Sequence, residues 1–507
     1  MTPDPGQAIA HTKNALGRQQ PLTEHLEAVS RLAGDFASQF GAEELATWLG
    51  RWHDIGKFNP AFQQYLRAAE ADPTHRRHGP DHKAAGAQLA AEAAGPAALV
   101  VQGHHGGLTT PAGFVAWLKE RAADPAVADA IALAREAYPA LARRDELIEP
   151  PHAAGIEPPD LELFIRMLLS AVVDADRLDT ERHFAPERAA SRGLVLEMDE
   201  LWTRFARNQE SFDRERRPNG PREEEILRIR RAIYDDCLAA ADEAPGLFRL
   251  TVPTGGGKTR SALAFALRHA RRHGLRRVVV AVPFITITEQ TADIYRTILE
   301  SPEDQEPVVL EHHSGVDAGD DEAGDAGSEE VWRRLTAENW DASVVVTTTV
   351  QLFESLFANH TSPARKLHRL ARSVIILDEA QALPPPLLTP ALDVLRQLCE
   401  RYGCTVVLST ATQPAFEAIG AFATLPAREI VPEPERYFEP LRRVDYTILR
   451  AEPLDWPAAA DLLRPEPQAL AVLNTKAAAI ALLDALDDRE ALHLSTLLCG
   501  GHRRQVL

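Results

Sequence analysis

Two textures divide this chain, and the second constrains the fold most. From about residue 245 onward, short β-branched runs alternate with helical segments, at 248–252, 278–282, 308–312, 343–348, 373–377 and 405–409. Runs this short and this apolar need cover on both faces. The helical segments that follow most of them supply it, so the pattern predicts βαβ units on a parallel sheet. Before residue 200, strand-like runs are nearly absent. Amphipathic or Ala/Leu-rich stretches at 21–40, 42–52, 81–94, 111–123, 126–141 and 159–176 predict helices joined by loops rich in His, Gly and Pro. The charged stretch 201–221 reads as a linker, and 426–446, rich in Pro, Glu and Arg, reads as a second break. Residues 469–474 then begin another α/β unit. The expected architecture is multidomain: an all-α part over 1–215, an α/β parallel-sheet part over 216–430, and an incomplete second α/β part over 431–507.

Length agrees with this division, since 507 residues at roughly 150 per domain suggest about three domains. The formal charge of −19 argues against a protein that coats nucleic acid through bulk charge, while leaving room for a local basic groove. Part of the excess lies in residues 317–330, a run of acids with no base that reads as a solvated loop. No run approaches the ~18 apolar residues of a membrane helix, and the first residues lack the basic-then-apolar pattern of a secretory signal. The 4 cysteines fall in no metal or redox spacing, which points to a reducing cytoplasm and to no membrane partner.

The segment Thr251-Val-Pro-Thr-Gly-Gly-Gly-Lys-Thr259 lies between a predicted strand and a predicted helix. That context suits a phosphate-binding loop. Thr254, Gly255, Gly256 and Gly257 let the backbone curl so that successive N–H groups point at phosphate oxygens, and the helix N-terminus adds its dipole. Lys258 would neutralise the outer phosphates and the Thr259 hydroxyl would ligate Mg²⁺. At Ser373-Val-Ile-Ile-Leu-Asp-Glu-Ala-Gln381 a buried strand ends in two acids. Asp378 would hold the same Mg²⁺, and Glu379 would orient or deprotonate the attacking water. The expected cofactor of this half is ATP with Mg²⁺.

The helical half carries a different chemistry. Trp52-His-Asp-Ile-Gly-Lys57 sets His53 beside Asp54, with Lys57 about one turn on. His25, His82, the doublet His104-His105 and the pair Asp174-Ala-Asp176 are scattered around it in sequence. Histidines and carboxylates on helices can converge in a bundle core to bind metal. His25, His53, Asp54 and Asp176 suffice for one ion, His82, His104 and His105 are available for a second, and Asp54 could bridge. Such a set suits one or two divalent transition metals (Mn, Fe, Co, Ni or Zn) better than Mg²⁺. Two metals roughly 3.5–4 Å apart would activate water against a phosphodiester. His53, Asp54 and Lys57 are the expected catalytic residues here, with Lys57 on the scissile phosphate.

These motifs resemble known families. The His53-Asp54 pair with its outlying ligands is similar to the HD phosphohydrolases, and Asp176 is preferred over Asp174 because Ala-Asp-Arg-Leu resembles the closing Asp of HD domains. Asp378-Glu-Ala-Gln381 resembles the ATPase box of superfamily 2 helicases. Thr410-Ala-Thr412 resembles their coupling motif, and Val282-Pro-Phe-Ile-Thr286 and Val346-Thr-Thr-Thr-Val-Gln351 resemble their backbone-gripping segments. An HD domain ahead of such a motor resembles the CRISPR-associated helicase–nuclease of type I systems. His11-Thr12, Gly103-His-His-Gly-Gly107, Glu311-His-His-Ser314 and Asp378-Glu-Ala-Gln-Ala-Leu-Pro384 extend the likeness over nearly the whole chain. The resemblance implies an HD-type nuclease domain, a RecA-like ATPase domain, single-stranded DNA as substrate and recruitment by a guide-RNA surveillance complex. It further implies nicking of the displaced strand and ATP-driven degradation of target DNA.

One departure limits that expectation. Val472-Leu-Asn-Thr-Lys476 and Leu494-Ser-Thr496 resemble the opening motifs of the second RecA-like domain, but the later arginine-bearing motif does not follow. A fragment, a split gene with a separately encoded C-terminal half and a decayed copy all stay open. Weak translocation and an exposed apolar edge are expected. Two other functions compete: an HD-type nucleotide phosphohydrolase with a regulatory ATP-binding module, and a non-catalytic adaptor.

Overall fold

A computed structural model describes residues 5–72, 79–141, 148, 157–192, 195–304, 307–314, 328–411, 416, 426–448, 454–488 and 490–506. The chain forms two compact units, Met1–Leu441 and Arg442–Leu507.

The first unit begins with a short antiparallel pair, β1 (Ile9–His11) and β2 (Gln20–Pro21). Helices then follow at Leu22–Ala37, Glu43–Trp52, Pro60–Ala71, Ala84–Ala94, Ala98–Gly103, Pro111–Ala122, Pro125–Ala137 and Pro158–Phe184. Their starts are written locally. Asn59, Thr110 and Asp124 each accept a hydrogen bond from a first-turn N–H, with Pro next in line. The predicted helical stretches agree to within a few residues, except that the last runs on from the expected 176 to Phe184. Close approach of segments is bought with glycine. A Cβ on Gly56 would lie 2.1 Å from the His82 carbonyl oxygen, and one on Gly86 would lie 1.9 Å from that of Trp52. The stretch Ala84–Gly103 has the length and mean hydropathy (1.3) of a membrane span, but it is 61% buried and interrupted by a turn at Gly95–Ala97.

Seven strands build the sheet: β3 (Leu247–Thr251), β4 (Arg277–Val282), β5 (Val309–His312), β6 (Val344–Thr348), β7 (Ser373–Asp378), β8 (Thr405–Thr410) and β9 (Arg428–Glu429). Their order is β5-β6-β4-β7-β8-β3-β9, and every pairing is parallel. Six of them match the predicted runs within a residue or so. β9 lies inside 426–446, where only a break was expected; Arg428 and Glu429 pair with Phe248 and Arg249 and extend the sheet edge.

Alternation along each strand sends side chains to two cores. Val279, Ala281, Ile375 and Leu377 join a core continuous with the helical bundle. Val278, Val280, Val374 and Ile376 join a second core. The latter also contains Met198, Leu201 and Phe205 from the helix Met198–Glu215. The stretch expected as a linker is thus mostly a packed helix. Its many charges hid an apolar stripe, and Arg204 ties it to Asp304 at 2.6 Å.

The second unit contains helices Trp456–Leu463, Lys476–Leu486 and Gly500–Val506 and, among the described residues, no strand. The strand expected at 469–474 is absent: Leu470 and Val472 are 87% and 83% exposed. A parallel strand forms only against a neighbour, and no described segment of this unit offers one. Leu492, Leu494 and Leu497 are exposed as well.

Candidate metal centre and nucleotide site

The helix Glu43–Trp52 ends at His53, and Asp54 opens a tight 3-10 turn, Ile55–Phe58. That turn brings Lys57 back over the carboxylate, Nζ to Oδ2 at 2.6 Å. His25 arrives from the first helix, His82 across the Gly56 approach, and His104 from the end of Ala98–Gly103. The imidazoles close on both oxygens of Asp54. Oδ2 faces His25 Nε2 at 3.6 Å and His53 Nε2 at 3.4 Å. Oδ1 faces His82 Nε2 at 3.5 Å and His104 Nε2 at 3.4 Å. Asp176 Oδ1 completes the first side, 3.5 Å from His25 Nε2 and 3.9 Å from His53 Nε2.

Two ligand groups therefore share Asp54: His25 and His53 on one side, His82, His104 and His105 on the other. The backbone sets the tautomers that such a role needs. His53 Nδ1 donates to the Gly50 carbonyl at 2.6 Å and His104 Nδ1 to that of Val101 at 2.7 Å, leaving each Nε2 lone pair aimed inward. His25 Nδ1 pairs with Asp179 Oδ2 at 2.7 Å. Asp54 Oδ1, His82 Nε2 and His104 Nε2 are buried without a hydrogen bond, while Asp54 Oδ2 has the Lys57 ammonium at 2.6 Å. Buried polar atoms of this kind are rarely left unmatched, and a cation beside Oδ1 would satisfy all three at once. The donor set fits a divalent metal.

Electrostatics divide the set: His82 is neutral and ready to ligate, whereas His25 holds a proton that a metal would have to displace. Asp54 is fully buried, which would raise its pKa, yet Lys57 and His53 hold it well below the ordinary carboxylate range. Burial pulls the His25 imidazole down, but Asp179 and Asp54 raise it to about 9. Burial pushes His82 down to about 4, so it is neutral and able to ligate at neutral pH. His105 is exposed at the rim, whereas His25, His53, Asp54 and His104 are buried.

Asp174 lies elsewhere. Its carboxylate takes Arg365 Nε at 2.8 Å and Asn339 Nδ2 at 3.0 Å, both from the sheet-bearing part. Asp179 escaped the sequence reading. Its spacing of one helical turn after Asp176 was the available signal. His11 was noted only within a motif; its ring sits edge-on to His25 at 4.9 Å, and its Nε2 lies 3.3 Å from Thr180 Oγ1.

At the carboxyl ends of the central strands lies the second site. Gly255 and Gly257 adopt φ of 90° and 84°, which curls the loop between β3 and the helix Lys258–His273. Lys258 Nζ reaches Asp378 Oδ1 at 2.9 Å and Glu379 Oε1 at 2.5 Å. Burial lowers the Lys258 pKa, but Asp378 and Glu379 raise it overall. Ser409 Oγ donates to Asp378 Oδ1 at 2.8 Å, and Gln381 bridges Glu379 to the Thr410 hydroxyl. The segment expected to be the coupling motif thus meets the acid pair through Thr410, next to Ser409, while Thr412 lies outside the described residues. Thr254 is exposed at the loop tip, Gly256 is buried, and Thr259, second in the helix, is half-buried. Phe284 and Val350, on the two segments expected to grip a strand, are each 62% exposed beyond the ends of β4 and β6.

Residues 10–178 match the family model of the Cas3 HD domain, and residues 222–412 match that of the type III restriction enzyme res subunit. The CRISPR-associated nuclease/helicase Cas3 of Haloferax volcanii is 33% identical over 206 residues, covering 38% of this chain and 22% of that protein. The crystal structure of T. fusca Cas3 superposes with a TM-score of 0.55 and 21% identity, over 88% of this chain and 53% of that one. Its AMPPNP complex gives 0.53 and 19% identity, over 82% and 52%. The chain spans about half the length of those structures and under a quarter of the curated relative.

Proposed function

This chain is a Cas3-like HD–helicase protein, and on that premise we propose that it is a metal-dependent single-stranded DNA nuclease coupled to an ATP-dependent DNA motor, degrading target DNA in CRISPR defence. The observation that carries the reading is Asp54, whose two oxygens face two separate imidazole groups. In this reading His25, His53, Asp54 and Asp176 hold one divalent transition metal (Mn, Fe, Co, Ni or Zn), and Asp54, His82, His104 and His105 hold a second. Bound there, the pair would supply an activated water and positive charge at the phosphodiester. The chain's own residues do the rest. Backbone-fixed Nδ1–H groups orient His53 and His104, Asp179 orients His25, and Lys57 balances Asp54 and is poised to take the scissile phosphate. His105, exposed at the rim, suits an open groove rather than a closed nucleotide pocket.

In the motor, Thr254 to Gly257 would cradle phosphates with backbone N–H groups, Lys258 would neutralise them, and Thr259 and Asp378 would hold Mg²⁺. Glu379 would orient the attacking water. In place of the expected bounds 1–215, 216–430 and 431–507, the domains we assign are an HD-type nuclease up to about residue 197, a first RecA-like domain over 198–441, whose core takes in Met198, Leu201, Phe205, Tyr437 and Leu441, and part of a second over 442–507. A guide-RNA surveillance complex that opens an R-loop would present the single strand, in the cytoplasm.

The test is single-stranded DNA cleavage by the purified chain without ATP, in Mn²⁺, Ni²⁺ or Mg²⁺, beside a His53→Ala/Asp54→Ala variant. Metal-dependent cutting absent from the variant is expected. Metal uptake at about two ions per chain with no cutting would replace the nuclease by a nucleotide hydrolase. Neither metal nor cutting would leave an adaptor.

A further inference from the structure

The helix Pro158–Phe184 serves two sides of the molecule. At roughly 100° per residue, Ser170, Asp174 and Glu181 fall within about 40° of one another, while Asp176 and Asp179 lie about 200° and 140° round from Asp174. One face thus looks into the metal centre and the opposite face toward the motor sheet.

The motor-side contacts form a closed ring. Arg365, between β6 and β7, places Nε 2.8 Å from Asp174 Oδ1 and Nη1 3.0 Å from Glu338 Oε2. Glu338 receives Arg192 Nη2 at 2.7 Å, and Arg192 Nε reaches Glu181 Oε1 at 2.6 Å, back on the same helix. One turn before Asp174, Ser170 Oγ accepts the His368 N–H at 3.0 Å. The ring is anchored at 174 and 181 and therefore straddles Asp176 and Asp179. Asp174 is completely buried, and Arg365 is its nearest cation, with Arg369 Nη2 farther off at 3.8 Å. Turning or sliding the helix to accommodate a lost partner would move both ligand-side carboxylates, and metal ligands tolerate only about 0.5 Å of displacement.

We propose that Arg365, a residue of the motor, is a positioning residue of the nuclease centre: it sets, through Asp174, the placement of Asp176 and Asp179 around His25. The segment that carries it lies between the strand-gripping end of β6 and the Asp378-Glu379 pair. The metal centre is therefore tied mechanically to the part of the motor that handles DNA and ATP. This rests on the metal reading of the centre and is independent of the substrate.

The experiment is Mn²⁺ titration of the full chain by calorimetry, for wild type, Arg365→Met, Arg365→Lys and Arg396→Met. Arg396 pairs with Asp160 at the far start of the same helix, 3.4 Å away, and serves as a control for loss of a contact remote from the ligands. Arg365→Met should weaken Mn²⁺ binding about tenfold, as loss of an outer-shell partner does. Arg365→Lys should recover part of the loss, Arg396→Met should change nothing, and binding of a fluorescent ATP analogue should be equal in all four. Equal Mn²⁺ affinity in Arg365→Met and wild type, or equal loss in Arg396→Met, would overturn the proposal. Should Arg365→Met not fold, Glu338→Gln opens the ring while sparing the Asp174 pair; it should weaken Mn²⁺ binding in the same sense, and no change would count against the idea. A wild type that binds no Mn²⁺ would instead remove the metal centre itself.

Discussion

Lys258 Nζ lies 2.9 Å from Asp378 Oδ1, so the lysine of the glycine loop is held by an acid at the end of β7. The pair spans β3 and β7, which are separated in the sheet by β8. Without nucleotide, each group serves as the other's counter-ion. A nucleotide carrying Mg²⁺ offers both a better partner, phosphate to the lysine and metal to the acid.

Replacing Lys258 with Ala removes the phosphate partner and leaves two acids facing the incoming nucleotide. Binding of a fluorescent ATP analogue should weaken at least about tenfold, or ~1.4 kcal/mol. Mn²⁺ uptake at the helical centre should be unchanged. Unaltered nucleotide binding in Lys258→Ala would contradict the assignment of the loop.

Metal should stabilise the helical part by mass action. At a free Mn²⁺ concentration about 100 times its Kd, the gain is about 2.7 kcal/mol, and chelation should reverse it. Scanning calorimetry of wild type and Asp54→Asn, each with Mn²⁺ and with chelator, checks this. The wild type should melt higher with metal, and Asp54→Asn, which lacks the shared carboxylate, should not respond.

Phe205 tests whether the stretch after the helical domain is a linker or part of the motor. It is fully buried, stacked between Trp202 and Tyr234, with Arg260 over its ring. Phe205→Ala should cost about 3–5 kcal/mol, seen as a lower denaturant midpoint of the sheet-bearing domain. A loss under about 0.5 kcal/mol, the surface value, would restore the linker reading.

His269 gives a pH signature away from either site. Its Nδ1 lies 3.0 Å from the Ala241 carbonyl oxygen and its Nε2 2.8 Å from Thr405 Oγ1. Burial pushes the imidazole from its ordinary 6.5 down to about 4, against a smaller upward pull from the Ala241 carbonyl. Between those values the unfolded chain binds the proton and the folded chain does not. The contribution is complete above about pH 6.5 and is lost as pH falls toward about 4, amounting to roughly 2 kcal/mol between pH 7 and pH 5. His269→Gln should therefore lose less stability over that interval than wild type, by denaturant unfolding at the two pH values. Parallel losses would show that the imidazole titrates normally.

Much of this molecule is written locally. The glycine loop, the Asp378-Glu379 strand end and the His53-Asp54 pair are short-range patterns, as are the β-branched runs that became β3 to β8, so sequence alone was enough to place them. Local pattern also suggested the metal-ligand set, because the residue types and their order are chemical facts of the chain.

What local pattern could not decide was which groups meet. Asp174 and Asp176 differ by two positions on one helix, and only the packing of that helix between a bundle and a sheet sent one carboxylate to Arg365 and the other toward His25. Asp179 acquired its place for the same reason. The stretch 201–221 looked like a linker because charge dominates its composition, yet a stripe of Met198, Leu201 and Phe205 found a sheet face to cover. At 469–474 the opposite happened: an apolar run with strand-like residues stayed unpaired, since a strand is defined by its neighbour. Residue chemistry and helix or strand periodicity were thus determined by sequence, whereas ligand identity, the shared carboxylate and the ring through Arg365 arise from contacts between segments far apart in the chain, which only the tertiary structure decides.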